Sequence, residues 1–159
     1  MDRDLAHRAA ASVEDPELPP LTIADLGILR DVVLKDGAVE VSITPTYSGC
    51  PAMREIEGAV TAAVKAAGFP TVHVRHVLSP AWTTDFLTDT ARRKLRDLGI
   101  APPENPRAAE VLFAVAQTAC PRCGSPNTER ISLFGSTACK ALHRCLACRE
   151  PYEAFKCHR

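Results

Sequence analysis

Within residues 38–44, apolar and polar side chains alternate strictly from Val39 to Thr44, a pattern typical of a strand with one buried face. Residues 28–35 are also rich in apolar, β-branched side chains. Asp36 and Gly37 separate the two segments, and Asp-Gly is a strong signal for a tight hairpin turn. The pattern therefore predicts an antiparallel strand pair with one face toward a core.

Other segments have helical spacing. Apolar side chains recur every three or four residues through 51–67, and Gly68 is placed to end that helix. Shorter helices are predicted at 3–13 and 88–98, with a third strand at 71–78. The order β-β-α-β with flanking helices predicts a small two-layer α+β domain.

The composition changes at residues 101–107, where three prolines stand within seven residues. Proline lacks the backbone N–H that helices and central strands need, so this segment is predicted to be a linker. We expect an α+β domain over residues 1–105 and a small β domain over residues 108–159. The second domain should open with an apolar strand at 111–115.

Composition and charge narrow the class of protein. An apolar fraction of 46% allows a buried core, and the formal net charge of zero gives no sign of a nucleic-acid or membrane partner. The first residues are charged and lack the apolar run of a signal peptide, and no run is long enough to cross a bilayer. We expect a cytoplasmic protein, in a compartment where paired cysteines more often bind metals than form disulfides.

Two C-x2-C pairs, Cys120 with Cys123 and Cys145 with Cys148, have 21 residues between them. Two such pairs facing each other complete a tetrahedral thiolate site, as in a zinc ribbon. Four protein thiolates leave no open position, so the predicted zinc is structural. It should also stabilise a module too small to fold well on its core alone. A four-cysteine iron–sulfur cluster uses the same ligands and stays an alternative.

Three residues near this site have no assigned role: Cys139, Cys157 and His158. They are either ordinary thiols and a tail histidine or contacts for a second soft metal. The odd number of cysteines in the chain, seven, argues against a complete disulfide framework.

The other histidines carry weaker signals. His73 and His76 lie three apart on the third predicted strand and face opposite sides, so we expect ordinary sheet histidines. His143 is expected at the surface. The sequence contains no Ser-His-Asp set, no Gly-rich phosphate loop and no helical carboxylate–histidine set for a di-iron site. We therefore assign no catalytic residue.

Cys50 precedes Pro51 at the predicted start of the long helix. Because proline suits the first helical position, Cys50 is predicted to be the N-cap, where free amides and the helix dipole favour a thiolate. A small core thiol is the alternative. Thr83, Thr84 and Asp85 follow the third strand and either cap the next helix or lie beside Cys50 at the same sheet edge.

Several motifs together resemble those of a known family. Segments 15–19, 23–29, 44–52 and 79–85 are similar to the small domain shared by SufT and the targeting factors of cytosolic iron–sulfur assembly. With the added ribbon and the segments 134–140 and 151–157, the chain resembles the PaaD family, also called PaaJ, of the phenylacetyl-CoA epoxidase system.

This resemblance implies an accessory role in aerobic phenylacetate breakdown. The epoxidase has a di-iron oxygenase component and a reductase that carries flavin and an iron–sulfur cluster. The chain would assist their maturation, with Cys50 as the functional thiol that carries or transfers iron or a transient iron–sulfur cluster. The implied partners are the oxygenase or reductase subunits and the iron–sulfur assembly machinery.

Two other functions stay open. The chain could be a non-catalytic structural subunit of the epoxidase, with the ribbon as a docking surface. A nucleic-acid-binding zinc ribbon is less favoured, since it would need clustered Lys and Arg with exposed aromatic side chains. Residues 110–159 carry seven basic and four acidic side chains, and these are scattered.

Overall fold

The computed structural model describes residues 2–103 and 118–156. It divides the chain into two compact units, Met1–Thr88 and Asp89–Arg159, each with its own sheet. The strand predicted at 111–115 lies outside the described residues, as do Cys157 and His158. Within the described part of the chain, no helix has the length and apolar character that a membrane crossing requires.

The first unit has the predicted β-β-α-β order. Strands β1 and β2 are antiparallel, β2 and β3 are parallel, and β2 lies in the middle of the sheet. The two helices pack against each other, α1 also contacts β1, and α2 contacts β3. The elements are α1 Arg3–Ala11, β1 Leu29–Lys35, β2 Ala38–Ile43, α2 Ala52–Ala66, β3 Val72–His76 and a short 3₁₀ helix Thr84–Phe86.

The core of this unit follows the two periodicities seen in the sequence. Alternate residues of β2, namely Val39, Val41 and Ile43, are fully buried. On α2 the buried side chains recur every four residues, at Ile56, Val60 and Val64. The predicted two-layer α+β architecture is confirmed.

The loop that follows β3 packs on the segment that precedes β1. The indole Nε1 of Trp82 donates to the carbonyl of Leu26 at 2.8 Å. Gly27 has a φ of +68°, and a Cβ at this position would lie 2.5 Å from the Cβ of Phe86 and 2.6 Å from its carbonyl oxygen. Only glycine accommodates both the backbone conformation and this close approach.

The second unit contains a helix and a four-stranded sheet, in the order β4-β7-β6-β5. β4 is parallel to β7, the other pairs are antiparallel, and α3 contacts β4. The predicted small β fold of the C-terminal region is confirmed, but this unit begins at Asp89 and so includes a helix and a strand whose residues the prediction assigned to the first domain. The elements are α3 Asp89–Asp97, β4 Ile100–Ala101, β5 Thr128–Ser132, β6 Lys140–Cys145 and β7 Pro151–Phe155.

A buried ion pair holds the loop between β5 and β6. Lys140 Nζ lies 3.0 Å from Glu153 Oε2, and the side chain of Lys140 is only 6% exposed. The backbone N–H of Ser136 also donates to the Glu153 carboxylate. Desolvation by burial opposes ionisation of this carboxyl, but the bonds from Ser136 and Lys140 outweigh it and lower the pKa of Glu153.

Candidate functional site

The four predicted ligand cysteines converge at one point. Their sulfur atoms all lie within 4.8 Å of one another, with 3.8 Å between Cys120 and Cys148 and 3.5 Å between Cys123 and Cys145. A tetrahedral zinc with bonds of about 2.3 Å places its sulfurs about 3.8 Å apart. The arrangement therefore fits a four-coordinate thiophilic metal ion.

Two tight turns aim these sulfurs. In the first, the N–H of Gly124 donates to the carbonyl of Cys120 at 2.8 Å. In the second, Cys145 ends β6 and its sulfur accepts the N–H of Cys148 at 3.5 Å. Hydrogen bonds from the backbone amides of Cys148 and Ala147 lower the pKa of Cys145 to about 6, against the effect of its desolvation. Such amides favour the thiolate form that metals bind.

His143 lies in the interior of the second unit, so the expectation of a surface position was wrong. Its side chain is buried and stacks on Tyr152, with ring centroids 5.6 Å apart. The Tyr152 hydroxyl donates to the carbonyl of Thr118 at 2.9 Å. On β6 the side chains of His143 and Cys145 lie on the same face of the strand. Because Cys145 faces the metal site inside the unit, His143 faces inward as well.

Cys139 lies apart from the four-cysteine cluster. It is buried, and its sulfur is 3.0 Å from the hydroxyl of Thr137. Because Cys157 falls outside the described residues, a second soft-metal contact between these two cysteines stays a prediction.

Cys50 lines an open cleft of about 790 Å³ at the edge of the first sheet. Parallel strands β2 and β3 end at this edge, and the loop from β2 to α2 carries Cys50. Crevices outside the carboxyl ends of parallel strands are common ligand sites. The cleft is also lined by Arg54, Glu57, His76 and Leu78.

The predicted cap position of Cys50 was wrong by one residue. The N-cap of α2 is Pro51, and the first helical residue is Ala52. The carbonyl of Cys50 accepts the N–H of Met53 at 3.4 Å, so the chain makes a tighter i to i+3 turn before the regular helix begins.

The electrostatic environment of Cys50 also differs from the expectation. Burial raises the pKa of the Cys50 thiol, and it outweighs the backbone N–H of Ala52, which favours the thiolate. The carboxylates of Glu17 and Asp15 raise this pKa further through charge repulsion. The resting side chain at neutral pH is therefore a thiol rather than a thiolate.

The polar segment after β3 caps a short 3₁₀ helix. The Thr83 hydroxyl accepts the N–H of Asp85 at 3.3 Å and caps the 3₁₀ helix, while Thr84 is buried. Among the described residues, the lining of the Cys50 cleft includes none of these three. The capping interpretation is supported, and their placement beside Cys50 stays a prediction.

Four residues around the cleft were not predicted from the sequence to be functional, and His76 was expected to be an ordinary sheet histidine. Asp15 and Glu17 belong to the Asp-Pro-Glu motif, and both act on the Cys50 thiol. Glu57 and His76 line the cleft and lie within hydrogen-bonding distance, with 3.2 Å between Oε2 and Nε2. The sequence signal available for His76 was its place near the end of the predicted strand 71–78, which follows a predicted strand and helix.

Comparisons with known proteins agree with this arrangement. Residues 7–78 match a family model described as an iron–sulfur cluster assembly protein, and residues 104–156 match the PaaD zinc beta ribbon domain. A protein of Escherichia coli (strain K12) that is named as a "Putative 1,2-phenylacetyl-CoA epoxidase" subunit is 48% identical over 147 residues, 92% of this chain and 88% of the relative. The chain belongs to the PaaD family.

Relatives of the first unit alone extend beyond PaaD proteins. A protein of Porphyromonas gingivalis (strain ATCC BAA-308 / W83) named "Fe-S protein maturation auxiliary factor" is 33% identical over 90 residues, 55% of this chain and 85% of that protein. The crystal structure of a domain of unknown function, DUF59, from Bacillus anthracis matches with a TM-score of 0.53 and 25% identity. The matched region covers 58% of this chain and 90% of that structure. The PaaD chain thus combines this α+β domain with a ribbon.

Proposed function

We propose that this PaaD-family chain is a maturation factor for phenylacetyl-CoA epoxidase in aerobic phenylacetate degradation. It would deliver iron or an iron–sulfur cluster to the oxygenase or reductase components through Cys50, receiving it from the iron–sulfur assembly machinery. One combination carries the proposal. The unit that contains Cys50 matches the iron–sulfur cluster assembly family, while most of the chain matches a protein named as an epoxidase subunit.

The environment of Cys50 suits transfer better than permanent storage. A metal must displace the proton of a thiol before a sulfur–metal bond forms, so a raised pKa weakens apparent metal affinity at neutral pH. The carboxylates of Asp15 and Glu17, which act on the same sulfur, attract a cation to the cleft. The carboxylates therefore favour binding of a metal cation, and the raised pKa of Cys50 keeps that binding reversible.

We propose that the four-cysteine cluster holds a structural zinc ion. Four thiolates close the coordination sphere and leave no position for a substrate. Protein purified in air should contain about one zinc per chain and no acid-labile sulfide. Stoichiometric sulfide would make the site an iron–sulfur cluster instead. We place the protein in the cytoplasm, where reducing conditions keep both sulfur sites free of disulfides.

The function is tested by Cys50→Ala in a phenylacetate-growing bacterium that lacks its own copy of the gene. The variant should keep its fold and zinc, but growth on phenylacetate should be lost and the purified epoxidase components should contain less iron. Ser48→Ala is a matched control, since Ser48 is exposed in the same loop and lines the same cleft. Normal growth of Cys50→Ala at normal expression would contradict the proposal.

A second candidate function is a non-catalytic structural subunit of the epoxidase. The word "subunit" in the name of the Escherichia coli relative favours it. Co-purification separates the two functions. A stable, stoichiometric complex with the oxygenase that persists in the Cys50→Ala variant supports the structural role, whereas a transient association supports maturation.

A further inference from the structure

His76 and Cys50 reach the same cleft because two parallel strands end together. His76 is the last residue of β3 and pairs with Ile43, the last residue of β2. The pairing continues one residue further, where the N–H of Val77 donates to the carbonyl of Ile43 at 2.8 Å. The loop to Cys50 leaves β2 at this edge, so an imidazole and a thiol both line the cleft.

Glu57 on α2 orients the imidazole. His76 Nε2 lies 3.2 Å from Glu57 Oε2, and the two side chains are 41% and 48% exposed. A contact this exposed contributes little to stability. In the neutral imidazole, an Nε2–H that donates to this carboxylate would leave the lone pair of Nδ1 available for a metal. Metal-binding histidines are oriented in this way by carboxylates.

We propose that His76 is a second protein ligand beside Cys50 for the iron that this cleft handles. This inference rests on the proposed function of Cys50. The iron atom belongs either to a ferrous ion or to a cluster, since both present the same chemistry to a thiolate and an imidazole. The Cys50 thiol loses its proton to solvent as the sulfur–iron bond forms, and Nδ1 of His76 donates its lone pair.

Two protein donors leave the remaining coordination positions of the iron open. Those positions can be filled by solvent, by cluster sulfide or by a ligand of the receiving protein. The four-cysteine cluster lacks this possibility, since its own sulfurs complete the coordination. An incomplete protein ligand set is therefore the feature that permits release to a client.

The test uses zinc-loaded, full-length protein without oxygen, with Co²⁺ as a spectroscopic probe. Thiolate-to-cobalt charge-transfer absorption reports sulfur ligation, and pulsed EPR reports nitrogen coupling from an imidazole. Zinc content, measured before and after, shows whether the ribbon has exchanged its metal. His76→Gln should weaken Co²⁺ binding by about ten-fold or more and remove the nitrogen coupling. Glu57→Gln should give a smaller loss of affinity.

His73→Gln is the matched control, because His73 is an exposed histidine of the same strand that does not line the cleft. It should change affinity less than two-fold. Parallel loading with ⁵⁷Fe²⁺ and with a cluster donor, read by Mössbauer spectroscopy, distinguishes an ion from a cluster. His76→Gln should lower occupancy in whichever case loads the wild type.

The outcomes separate this inference from the function on which it rests. If Cys50→Ala abolishes binding while His76→Gln binds like the wild type, His76 is not a ligand and only this inference is overturned. If Cys50→Ala retains sulfur-to-cobalt absorption, or if neither iron source loads the wild type, the proposed role of Cys50 falls as well.

Discussion

The four-cysteine cluster and Cys50 differ in the number of sulfur atoms at the site and in the charge environment of those atoms. In the second unit four sulfurs lie within 4.8 Å of one another, and backbone amides favour the thiolate of Cys145. In the first unit Cys50 lines an open cleft, and burial and nearby carboxylates favour its protonated form. The difference indicates that the number of converging donors, rather than the presence of cysteine, decides whether a site retains a metal.

The two units also differ in what stabilises them. The first has an apolar core shared by a sheet and two helices. In the second, two of the five members of one buried cluster are themselves ligand cysteines: Ala101, Cys120, Cys145, Tyr152 and Ala154. A core this small contributes little, so metal binding supplies much of the folding free energy.

The largest expected effect is that of Cys145→Ser. Loss of one ligand should strip the metal and unfold the second unit, because metal binding here is coupled to folding, on the order of 10 kcal/mol. The first unit should keep its own cooperative melt, followed by fluorescence of Trp82, which is buried in that unit. A single transition that disappears entirely with the metal would show that both units share one folding equilibrium.

Gly27→Ala should instead destabilise the first unit by about 2–4 kcal/mol, through a positive φ and a clash with Phe86. The midpoint of Trp82 fluorescence in urea should fall while zinc content stays unchanged. Gly37→Ala is the control, since Gly37 also has a positive φ but no atom within 4 Å of an added Cβ. It should cost about 1 kcal/mol. Equal losses would show that the Phe86 contact is not limiting.

The alkylation rate of Cys50 should depend on pH differently from that of a thiol with a lowered pKa, which already reacts at its full rate near neutral pH. Because the pKa of Cys50 is raised, the thiolate fraction is small at neutral pH and still grows as the pH rises from 7 to 9. The rate with iodoacetamide, measured by mass spectrometry on metal-loaded protein, should follow that rise. Glutathione is the reference thiol. A plateau below pH 8 would indicate a lowered pKa and would contradict this account.

The smallest expected effect is that of Lys140→Met, which removes the buried cation beside Glu153. A cost of about 1–2 kcal/mol should appear as an apparent zinc affinity about ten-fold weaker, because unfolding and metal release are coupled. Lys156→Met is the comparison, since Lys156 makes an exposed bond to the carbonyl of Ala138. It should change zinc affinity much less.

Regular elements and the metal cluster could be predicted because their signals are local. The hairpin pattern places strands at 28–35 and 38–44, and the structure has Leu29–Lys35 and Ala38–Ile43. The C-x2-C spacing alone brings each pair of sulfurs to one side of a turn, and only the facing of the two pairs depends on the fold.

The properties of Cys50 could not be predicted in the same way, since they depend on distant residues. Asp15 and Glu17 precede Cys50 by more than thirty positions, and only the fold brings their charges to its sulfur. The pairing of His76 with Glu57 likewise joins a strand end to a helix. A helix N-terminus gives a reliable local field, but burial and long-range charge determined the sign of the pKa shift.

The two-residue strand β4 determines where the zinc ribbon can be cut when it is transferred to another protein. Ile100 and Ala101 are buried and pair with Glu153 and Ala154 of β7, although both precede the first of the linker prolines. A ribbon transplanted from residue 108 onward would lack β4, and the border of β7 that pairs with it would keep unsatisfied amides and carbonyls. Exposed strand edges of this kind promote self-association. Protein engineers who graft this ribbon onto a new host should therefore carry the chain from about Asp89.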